Sequence, residues 1–443
     1  MKLSRFTTFF PASGGDSFIG FNAMTQGVVT LPGELKRRVE DAFRRRDFSN
    51  GAGEAVRALD EAGLLVADDV DETDRLRRWF DDMREDADFL QATVLTTEAC
   101  NFACPYCIQG SDKGAERLDD ARTDRVTDWI LRKAAEHGHD RVVLTFYGGE
   151  PFLNPEPMIR ISQRMADWAR ERGGREYRFE IVTNGSLIRP DVVERLRPLG
   201  LYSLRVTIDG DREEHDRRRP FRGGQGSFDT VVANLQAMAG RVDIQIQSNW
   251  DRGNYESLFR LWDYLAEVGL LDRCAGVRAS PVSMSLENRR AGLPANAEAA
   301  GCISFSGAGY EMEVVAIREE LLRRGCRPGP AVGIQECPLG QRTSYFVIRP
   351  NGDIHKCPAM LGEEGMKVGR VDAPALDARH EAFVNLDVWK ACPDCVYAPM
   401  CGGGCRYSAI LQTGDVTRPA CEKAYLDRVI PRFLEQDMRY GRM

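Results

Sequence analysis

Thirteen cysteines, set in groups along 443 residues, constrain this chain more than any other feature. A tight group comes first, a larger group lies towards the C-terminal end, and three cysteines belong to neither. In that order they are Cys100, Cys104 and Cys107; Cys337, Cys357, Cys392, Cys395, Cys401, Cys405 and Cys421; and Cys274, Cys302 and Cys326. So many grouped thiols in a long chain of a reducing compartment indicate metal or cluster ligation more readily than disulfides.

The composition is that of a folded chain and excludes several classes of protein. With 43% hydrophobic residues, it should form two to four domains at about 100–200 residues each. The formal net charge of −7 argues against binding nucleic acid or membranes through bulk positive charge. No run approaches the ~18 apolar residues of a membrane span, and Thr7, Thr8 and Ser13 interrupt the apolar start before a signal-peptide core can form. We therefore expect a cytoplasmic protein without nucleic-acid or membrane partners.

Residues from about 91 to 285 alternate between strand and helix patterns. The predicted strands are Ala92–Thr96, Arg141–Phe146, Arg178–Val182, Ser203–Ile208, Asp243–Ser248 and Gly276–Val282. Helices lie between them, such as Thr123–Ala135, which carries Val126, Trp129, Ile130 and Ala134 on one face. Six βα units predict a parallel sheet, either open and doubly wound or closed into a partial barrel.

Four unusual segments each come just after a predicted strand. They are Cys100, the Gly148-Gly149-Glu150-Pro151 turn, Thr183-Asn184-Gly185 and Asp209-Gly210. Parallel sheets and barrels build their sites at the carboxyl ends of the strands, where such segments meet. The sequence therefore predicts one functional face.

The first cysteine group has the spacing C-x3-C-x2-C. Three thiolates within eight residues can hold one face of a metal cluster but leave one metal without a protein ligand. Such a metal can accept a small molecule. The alternative is half of a zinc site that a distant residue completes.

This spacing, on the loop after the first strand and with G-G-E-P after the second, resembles the radical S-adenosylmethionine (SAM) superfamily. The resemblance implies a partial (β/α)6 barrel in which Cys100, Cys104 and Cys107 bind three irons of a 4Fe–4S cluster and SAM chelates the fourth. One electron, from a donor such as flavodoxin or ferredoxin, then cleaves SAM to a 5′-deoxyadenosyl radical that abstracts hydrogen from a substrate. Tyr106 fills the aromatic position common before the last cysteine.

The same resemblance extends to residues that would contact SAM. It implies that Gly148, Gly149 and Glu150 bind the amino group of the methionyl part. Asn184 and Arg219 would be further contacts, with Arg219 on the methionyl carboxylate. The alternatives are an ordinary turn at Gly148-Gly149 and a solvated charge run at Arg217–Arg219.

The second cysteine group resembles the seven-cysteine pattern of the SPASM extension, which binds two auxiliary 4Fe–4S clusters. The resemblance implies three clusters in all. One auxiliary cluster would take Cys392, Cys395, Cys401 and Cys421, and the other Cys337, Cys357 and Cys405. The fourth ligand of this second cluster would be Cys326 or, if Cys326 does not reach it, Cys302. If neither binds, one iron would have no protein ligand and could bind a substrate thiolate. Zinc-ribbon sites are the alternative, and Cys274 is interpreted as structural.

Residues ahead of the first cysteines predict a small module of strands followed by helices. The strands are Leu3–Phe10, Ser17–Phe21, Val28–Leu31 and Leu64–Val66, and the helices are Glu34–Arg46, Gly53–Ala62 and Asp71–Asp88. The order is winged-helix-like and resembles the leader-recognition module of peptide maturases, to which a precursor peptide could add as an extra strand. We therefore predict this module at 1–88, the radical SAM partial barrel at 89–300 and the SPASM domain at 301–443.

Together these features predict a radical SAM/SPASM enzyme that oxidatively installs a thioether or carbon-based crosslink in a ribosomally made peptide. The auxiliary clusters would accept the electron that bond closure releases. Formylglycine formation is disfavoured, because Pro358 stands where sulfatase-maturing relatives tend to carry an acidic residue. Oxidation of a small molecule is a further alternative, as is a zinc-stabilised binding protein without enzymatic activity. The peptide, the bond formed, the general base and the oligomeric state do not follow from the sequence.

Overall fold

The N-terminal part of the protein is a small sheet with helices around it. The structure is a computed structural model that describes residues 1–47, 53–85, 88–110, 114–283, 285–286, 309–329, 333–334, 337–361 and 363–442. Its first elements are β1 (Lys2–Leu3), β2 (Thr7–Pro11), β3 (Ser17–Asn22), β4 (Val28–Pro32), α1 (Gly33–Arg45), α2 (Gly53–Glu61), β5 (Leu65–Val66) and α3 (Glu72–Glu85). Strands β2, β3 and β4 form an antiparallel sheet, and β1 pairs with β5.

The predicted first strand, Leu3–Phe10, is divided in two by a buried hydrogen bond. Ser4 donates its hydroxyl to Glu72 of α3 over 2.5 Å, and the same hydroxyl accepts from the Phe6 backbone. This turns the chain between β1 and β2, so the two halves join different sheets. A single run of strand-forming residues gives no sign of such a turn.

The central part of the protein alternates strands and helices as the sequence predicts. Its elements are β6 (Leu90–Thr97), α4 (Asp120–Glu136), β7 (Arg141–Gly148), α5 (Glu156–Glu171), β8 (Glu176–Thr183), α6 (Pro190–Leu196), β9 (Leu201–Thr207), α7 (Arg212–Arg218), α8 (Phe228–Met238), β10 (Asp243–Trp250), α9 (Tyr255–Glu267) and β11 (Gly276–Pro281). The six strands are parallel and lie side by side in chain order from β6 to β11. The prediction of an α/β fold with a parallel sheet is confirmed.

Helix α4 shows how the pattern of side chains produces this arrangement. Asp119 caps its N-terminus by accepting from the Arg122 backbone over 2.7 Å. Val126, Trp129 and Ile130 are almost fully buried on one face, as their spacing predicts. Trp129 packs edge-on against Phe346 at 5.1 Å between ring centroids, which joins the helix to the next part of the chain.

The C-terminal part continues the same sheet. Its elements are α10 (Glu311–Arg323), β12 (Phe346–Ile348), β13 (Asp353–His355), β14 (Lys367–Arg370), α11 (Ala378–Val384), α12 (Ala398–Cys401), α13 (Arg406–Thr413) and α14 (Lys423–Arg439). Strand β12 pairs in parallel with β6, and β13 and β14 follow it antiparallel, which makes nine strands in this sheet among the described residues.

The small N-terminal sheet packs against this C-terminal part. Phe6, Phe21 and Met24 share one hydrophobic cluster with Trp389 and Ile430. Within the described parts of the chain, no helix is both long and apolar enough to cross a membrane.

Candidate functional site

The first cysteine group lies on the loop after β6 and lines a cavity of about 340 Å³. Cys100 is buried, whereas Cys104 and Cys107 are partly exposed. The cavity lies at the carboxyl ends of the parallel strands, where Gly148, Asn184 and Thr207 also line it. Three of the four strand-end segments that the sequence singles out therefore meet at one cavity, and the fourth, at Asp209, contacts residues that line it.

A buried charge network fastens the cysteine loop to the end of β9. Tyr106 donates its hydroxyl to the fully buried Asp209 carboxylate, and Arg219 donates to Tyr106 over 2.6 Å and to Asp209 over 3.4 Å. Burial raises the pKa of Tyr106 well above its usual value, so this hydroxyl keeps its proton. Burial acts to lower the pKa of Arg219, but Tyr106, Cys104 and Asp209 raise it, and the balance is a raised pKa.

Of the three consecutive arginines, only one fits a solvated charge run. Arg217 is exposed and pairs with Glu214 over 2.5 Å. Arg218 is buried and donates to Asp251 over 2.6 Å. Arg219 lines the cavity, and its Nε atom is buried without a hydrogen-bond partner.

Asn184 is held next to the first cysteine by its own hydrogen bonds. Its side-chain oxygen accepts from the backbone and the hydroxyl of Ser186 over 2.9 and 2.7 Å. This directs the side-chain nitrogen towards Cys100 Sγ at 3.9 Å and Asn101 Oδ1 at 2.8 Å. The amide is therefore placed to donate to a thiolate.

The Gly148-Gly149-Glu150 turn packs tightly against the cysteine loop. A Cβ atom on Gly148 would lie 2.2 Å from the Thr97 carbonyl oxygen, and one on Gly149 would lie 2.2 Å from that of Ala99. Gly148 also has φ +143°, which disfavours other residues. The need for glycine therefore comes from the approach of these two backbones.

Glu150 is fully buried behind this turn, and it is not among the residues that line the cavity. Its carboxylate accepts from the backbones of Phe152 and Asn184 over 3.0 and 2.8 Å and from the Thr183 hydroxyl over 2.7 Å. Burial raises its pKa against the effect of these three donors. A contact between Glu150 and the amino group of SAM stays a prediction.

The residues of this cavity fit a cluster with a bound carboxylate-bearing molecule. The three cysteines, Asn184 and Arg219 all line the same space, and the buried Nε of Arg219 has no hydrogen-bond partner. Among the described residues, no group of three or more His, Cys, Asp or Glu side chains is arranged to hold a single metal ion. In a 4Fe–4S cluster each thiolate binds its own iron, so cluster ligands stand farther apart than the ligands of one ion.

The second cysteine group separates in space into two sets. Burial raises the pKa of Cys357 to about 12, and the thiolates of Cys337 and Cys405 contribute in the same direction. Burial likewise raises the pKa of Cys401 to about 12, with further contributions from Glu422 and from the thiolates of Cys395 and Cys392, and Cys421 acts on Cys392 in the same way. These are the two sets that the SPASM resemblance implies, and their role as cluster ligands stays a prediction.

Arg406 lies between the two sets and fixes the backbone that carries them. Its guanidinium donates to the carbonyl of Gly403, to Gly404 over 2.7 Å, to Arg418 over 2.8 Å and to Val416 over 3.1 Å. Burial lowers its pKa, and the thiolates of both sets oppose that effect: Cys337, Cys405, Cys401 and Cys392. A single buried cation therefore serves both sets of thiolates.

A second buried cation, Lys356, directly precedes Cys357. Its ammonium donates to the carbonyls of Gln341 and Ser344 over 2.6 and 2.5 Å and lies 4.1 Å from the centroid of the Phe346 ring. Burial lowers its pKa well below the usual value, and Cys337 opposes the effect.

Two of the three remaining cysteines lie near each other. Burial raises the pKa of Cys274 to about 12, and the Cys326 thiolate adds to the effect. Both are partly exposed. Cys326, the candidate fourth ligand, therefore neighbours Cys274, which the sequence analysis interprets as structural; its ligand role stays a prediction. Cys302 lies outside the described residues.

The cavity also has lining residues that the sequence analysis does not single out. They are Tyr147, Arg205, Thr207, Gln247 and Asn249, all from the ends or inner faces of strands. Strand alternation could have identified them once the inward face of each strand was known, because side chains alternate between the two faces of a sheet. These residues come together only when strands that are distant in the sequence pair in the sheet.

A comparison with known protein families identifies the domain. Residues 94–247 match the model of the radical SAM superfamily. The chain therefore contains a radical SAM domain, and the prediction made from the cysteine and glycine motifs is confirmed. Members of this superfamily bind a 4Fe–4S cluster together with SAM.

Curated relatives extend beyond this domain to different degrees. An AdoMet-dependent heme synthase of Methanosarcina barkeri is 29% identical over 175 residues, which cover 39% of this chain and 46% of that protein. The mycofactocin maturase MftC of Mycobacterium tuberculosis is 24% identical over 373 residues, covering 76% of this chain and 83% of the relative. The chain thus spans about half of the first relative and most of the second.

Two solved structures share the fold over most of their length. The structure of anSMEcpe with bound AdoMet has a TM-score of 0.63 at 16% identity and covers 80% of this chain and 94% of its own. That of Streptococcus suis SuiB bound to the precursor peptide SuiA has a TM-score of 0.53 at 15% identity and covers 95% and 98%. At these identities the similarity concerns the fold.

Proposed function

We propose that the protein is a radical SAM/SPASM maturase that uses SAM to abstract hydrogen from a ribosomally made peptide and oxidatively installs a crosslink, a thioether or a carbon-based bond. The observation that carries the proposal is the cavity in which three cysteines, Asn184 and Arg219 meet at the ends of the parallel strands. The six parallel strands in chain order, from β6 to β11, are those that a partial (β/α)6 barrel requires.

In this proposal the cavity holds both parts of the cofactor. Cys100, Cys104 and Cys107 would bind a 4Fe–4S cluster, and the Arg219 Nε would donate to the methionyl carboxylate of SAM. When bound, the cluster and SAM supply a 5′-deoxyadenosyl radical after one-electron reduction by a donor such as flavodoxin or ferredoxin. The Asn184 amide, held by Ser186, stabilises the Cys100 thiolate by hydrogen bonding.

The other walls of the cavity limit access of water. Phe102, Ile108, Tyr147 and Val182 present apolar surface around the thiols. Burial keeps the Tyr147 hydroxyl protonated by raising its pKa. A reactive radical needs such a wall, because it is quenched by any hydrogen donor that reaches it before the substrate does.

The two C-terminal sets of cysteines would hold auxiliary clusters that accept electrons. Ligands of one would be Cys392, Cys395, Cys401 and Cys421; those of the other Cys337, Cys357 and Cys405, with Cys326 as the candidate fourth. Arg406 places positive charge close to the thiolates of both sets, and nearby cations raise the reduction potential of a cluster. An oxidative crosslink, which releases an electron as the bond closes, fits this arrangement.

A peptide substrate is supported by the N-terminal sheet and by two relatives. SuiB is recorded with a bound precursor peptide, and MftC is named a maturase. The proposed units are a leader-recognition module at 1–88, the radical SAM domain at 89–300 and the SPASM domain at 301–443. Pro358, which begins a short helix after Cys357, provides no carboxylate for formylglycine formation.

The first test measures cofactor binding. After anaerobic reconstitution, iron and sulfide analysis with electron paramagnetic resonance should give about twelve irons per chain, and a Cys100/Cys104/Cys107→Ala variant should lose about four of them. Cys274→Ala is the matched control, with iron unchanged. Zinc in place of iron would overturn the proposal and favour a binding protein.

The second test measures the reaction. Incubation with SAM, a reductant and a candidate precursor peptide should yield 5′-deoxyadenosine and a peptide lighter by two hydrogens. Cleavage of SAM with a mass change on a small alcohol or amine, and none on any peptide, would replace the peptide with a small-molecule substrate. Epimerisation, which leaves the mass unchanged, is detected by deuterium uptake from heavy water.

A further inference from the structure

The inner face of the parallel sheet carries a row of polar atoms that lack partners. Ser203 Oγ and Arg205 Nε on β9 and Gln245 Oε1 on β10 are buried, and none has a hydrogen-bond partner among the described residues. Ser203 is 1% exposed. The large majority of buried side-chain polar atoms are hydrogen-bonded in native proteins, so three unpaired atoms on neighbouring strands are candidates for partners that a polar ligand would supply.

These three atoms lie on one face of neighbouring strands. Arg205 and Gln245 are register partners, and Ser203 lies two residues before Arg205 on the same side of β9. Side chains of register partners in parallel strands start about 4.8 Å apart. Arg205 lines the cavity that holds the first cysteines, so the row faces the inside of the sheet.

The row also lies between two cavities. Gln245 lines a second cavity, of about 640 Å³, beside the edge strand β11, whereas Arg205 lines the first. Pro281 lines both. Gly276, the register partner of Gln245 on β11, leaves open space, because a Cβ atom there would meet no atom within 4 Å. A substrate reaching from one cavity to the other would pass these side chains.

The chemistry of the row favours a neutral amide over a carboxylate. Arg205 already donates to Glu180 over 2.9 Å, and Glu180 is buried, so a second carboxylate would be repelled by the first. The free Arg205 Nε is a donor and the free Gln245 Oε1 an acceptor. A trans amide presents its carbonyl oxygen and its N–H on opposite sides and can satisfy both at once.

We propose that Ser203, Arg205 and Gln245 form a subsite that binds an amide group of the substrate, that of a peptide bond next to the reacting residue. Its carbonyl oxygen accepts from Arg205 Nε and from the Ser203 hydroxyl, and its N–H donates to Gln245 Oε1. This inference rests on the proposed function, in which the substrate is a peptide, and it names the residues that would contact that peptide.

Crystals of the reconstituted enzyme soaked with N-methylacetamide, a peptide-bond analogue, provide the test. We expect N-methylacetamide between Arg205 and Gln245, and no acetate there in parallel soaks. Gln245→Leu should weaken binding about fivefold, the value of one neutral hydrogen bond, and Gly276→Val should displace the molecule. Gly173→Val is the matched control, because Gly173 is also open to a Cβ but lies in the loop before the amino end of β8.

Ser203→Ala adds a readout on stability. A hydroxyl without a partner adds nothing to the stability of the ligand-free protein. The melting temperature should therefore stay constant or rise while amide binding weakens. Ser248→Ala, which removes another unpaired buried hydroxyl from the opposite face of β10, should leave amide binding unchanged. A clear loss of stability in Ser203→Ala would mean that the hydroxyl has a structural partner and would overturn its part in the subsite.

The soak requires neither SAM cleavage nor peptide modification. Acetate at Arg205, or no N-methylacetamide there, would overturn the subsite whatever the reaction proves to be. Conversely, amide binding in an enzyme that cleaves no SAM would support the subsite and overturn the proposed function.

Discussion

The two cysteine-rich regions of this protein are built in different ways. The first places three cysteines on one loop beside a cavity of about 340 Å³. The second spreads seven cysteines over 85 residues and packs them around buried cations, and the cavity that Cys337 and Cys401 line measures only about 80 Å³. The first region therefore borders the larger of these two cavities.

The means of support differ as well. Backbone hydrogen bonds from Ala103 to Pro220 and from Arg222 to Asn101, together with the Tyr106–Asp209–Arg219 network, hold the first loop. Arg406 and Lys356 hold the second region by donating to backbone carbonyls. In the second region one side chain, Arg406, makes several of the supporting hydrogen bonds, whereas in the first region several residues share them. The loss of a single residue should therefore disturb the second region more than the first.

The largest effect should come from removing the ligands of one region at a time. Cys100/Cys104/Cys107→Ala should abolish reductive SAM cleavage, because no other group in the cavity can hold the cluster. Cys392/Cys395→Ala should lose auxiliary iron yet retain cleavage without peptide, measured as 5′-deoxyadenosine by chromatography. Equal loss in both variants would contradict the division of roles.

Arg406→Met should destabilise the second region alone. Removing this guanidinium leaves several buried carbonyls unpaired and should cost about 3–5 kcal/mol. We expect iron to fall from about twelve towards about four per chain, with the remaining signal from the SAM-binding cluster. Arg217→Met, at an exposed arginine, should change neither iron content nor the melting temperature.

The second region should also be sensitive to acid. Burial lowers the pKa of His380 on α11 from 6.5 to about 4, with Lys356 contributing. Below pH 6.5 His380 binds a proton in the unfolded chain, but in the folded chain it does so only near pH 4. The free energy of unfolding therefore falls as the pH drops through this range. The pKa difference corresponds to roughly 3 kcal/mol. His380→Leu should reduce the fall in the urea midpoint over that range; an unchanged fall would assign the acid sensitivity to other groups.

The smallest effect is expected from the network of the first region. Asp209→Asn keeps the shape but removes the charge that faces Tyr106 and Arg219. By analogy with residues that orient metal ligands, the affinity for SAM should fall about 10–100-fold with iron content unchanged. Asp229→Asn, in an exposed pair with Arg212, is the control. A loss of iron in Asp209→Asn would show that cluster binding itself depends on this carboxylate and would contradict an effect confined to SAM affinity.

Much of the fold could be predicted from residues close together in the chain. The six parallel strands and α4 follow from hydrophobic period, and the cysteine and glycine motifs identify the domain. The division of Leu3–Phe10 into β1 and β2 could not be predicted, because it depends on a bond from Ser4 to Glu72. The same holds for Arg406 and Arg205, whose partners are known only once distant segments pack together.

The contacts of the N-terminal part with distant residues also could not be predicted from the sequence, and they change how that part can be tested. The acidic helix α3 belongs to the module predicted at 1–88, yet Trp79 donates to the Pro399 carbonyl over 3.1 Å and Phe80 stacks on Trp389 at 5.5 Å. Deleting residues 1–85 would therefore expose the second cysteine region. Substitutions of exposed residues on β4 would test peptide recognition while leaving these contacts of α3 intact.

The pairing of β12 with β6 has a mechanical consequence. β6 ends three residues before Cys100, and β13, which pairs with β12, ends two residues before Cys357. Cys100 and Cys357 therefore both follow strands of one hydrogen-bonded sheet, so the spacing of its strands sets the distance between them. An electron crossing between them would face a gap of fixed width, so its transfer rate would respond to reduction potential and not to hinge motion.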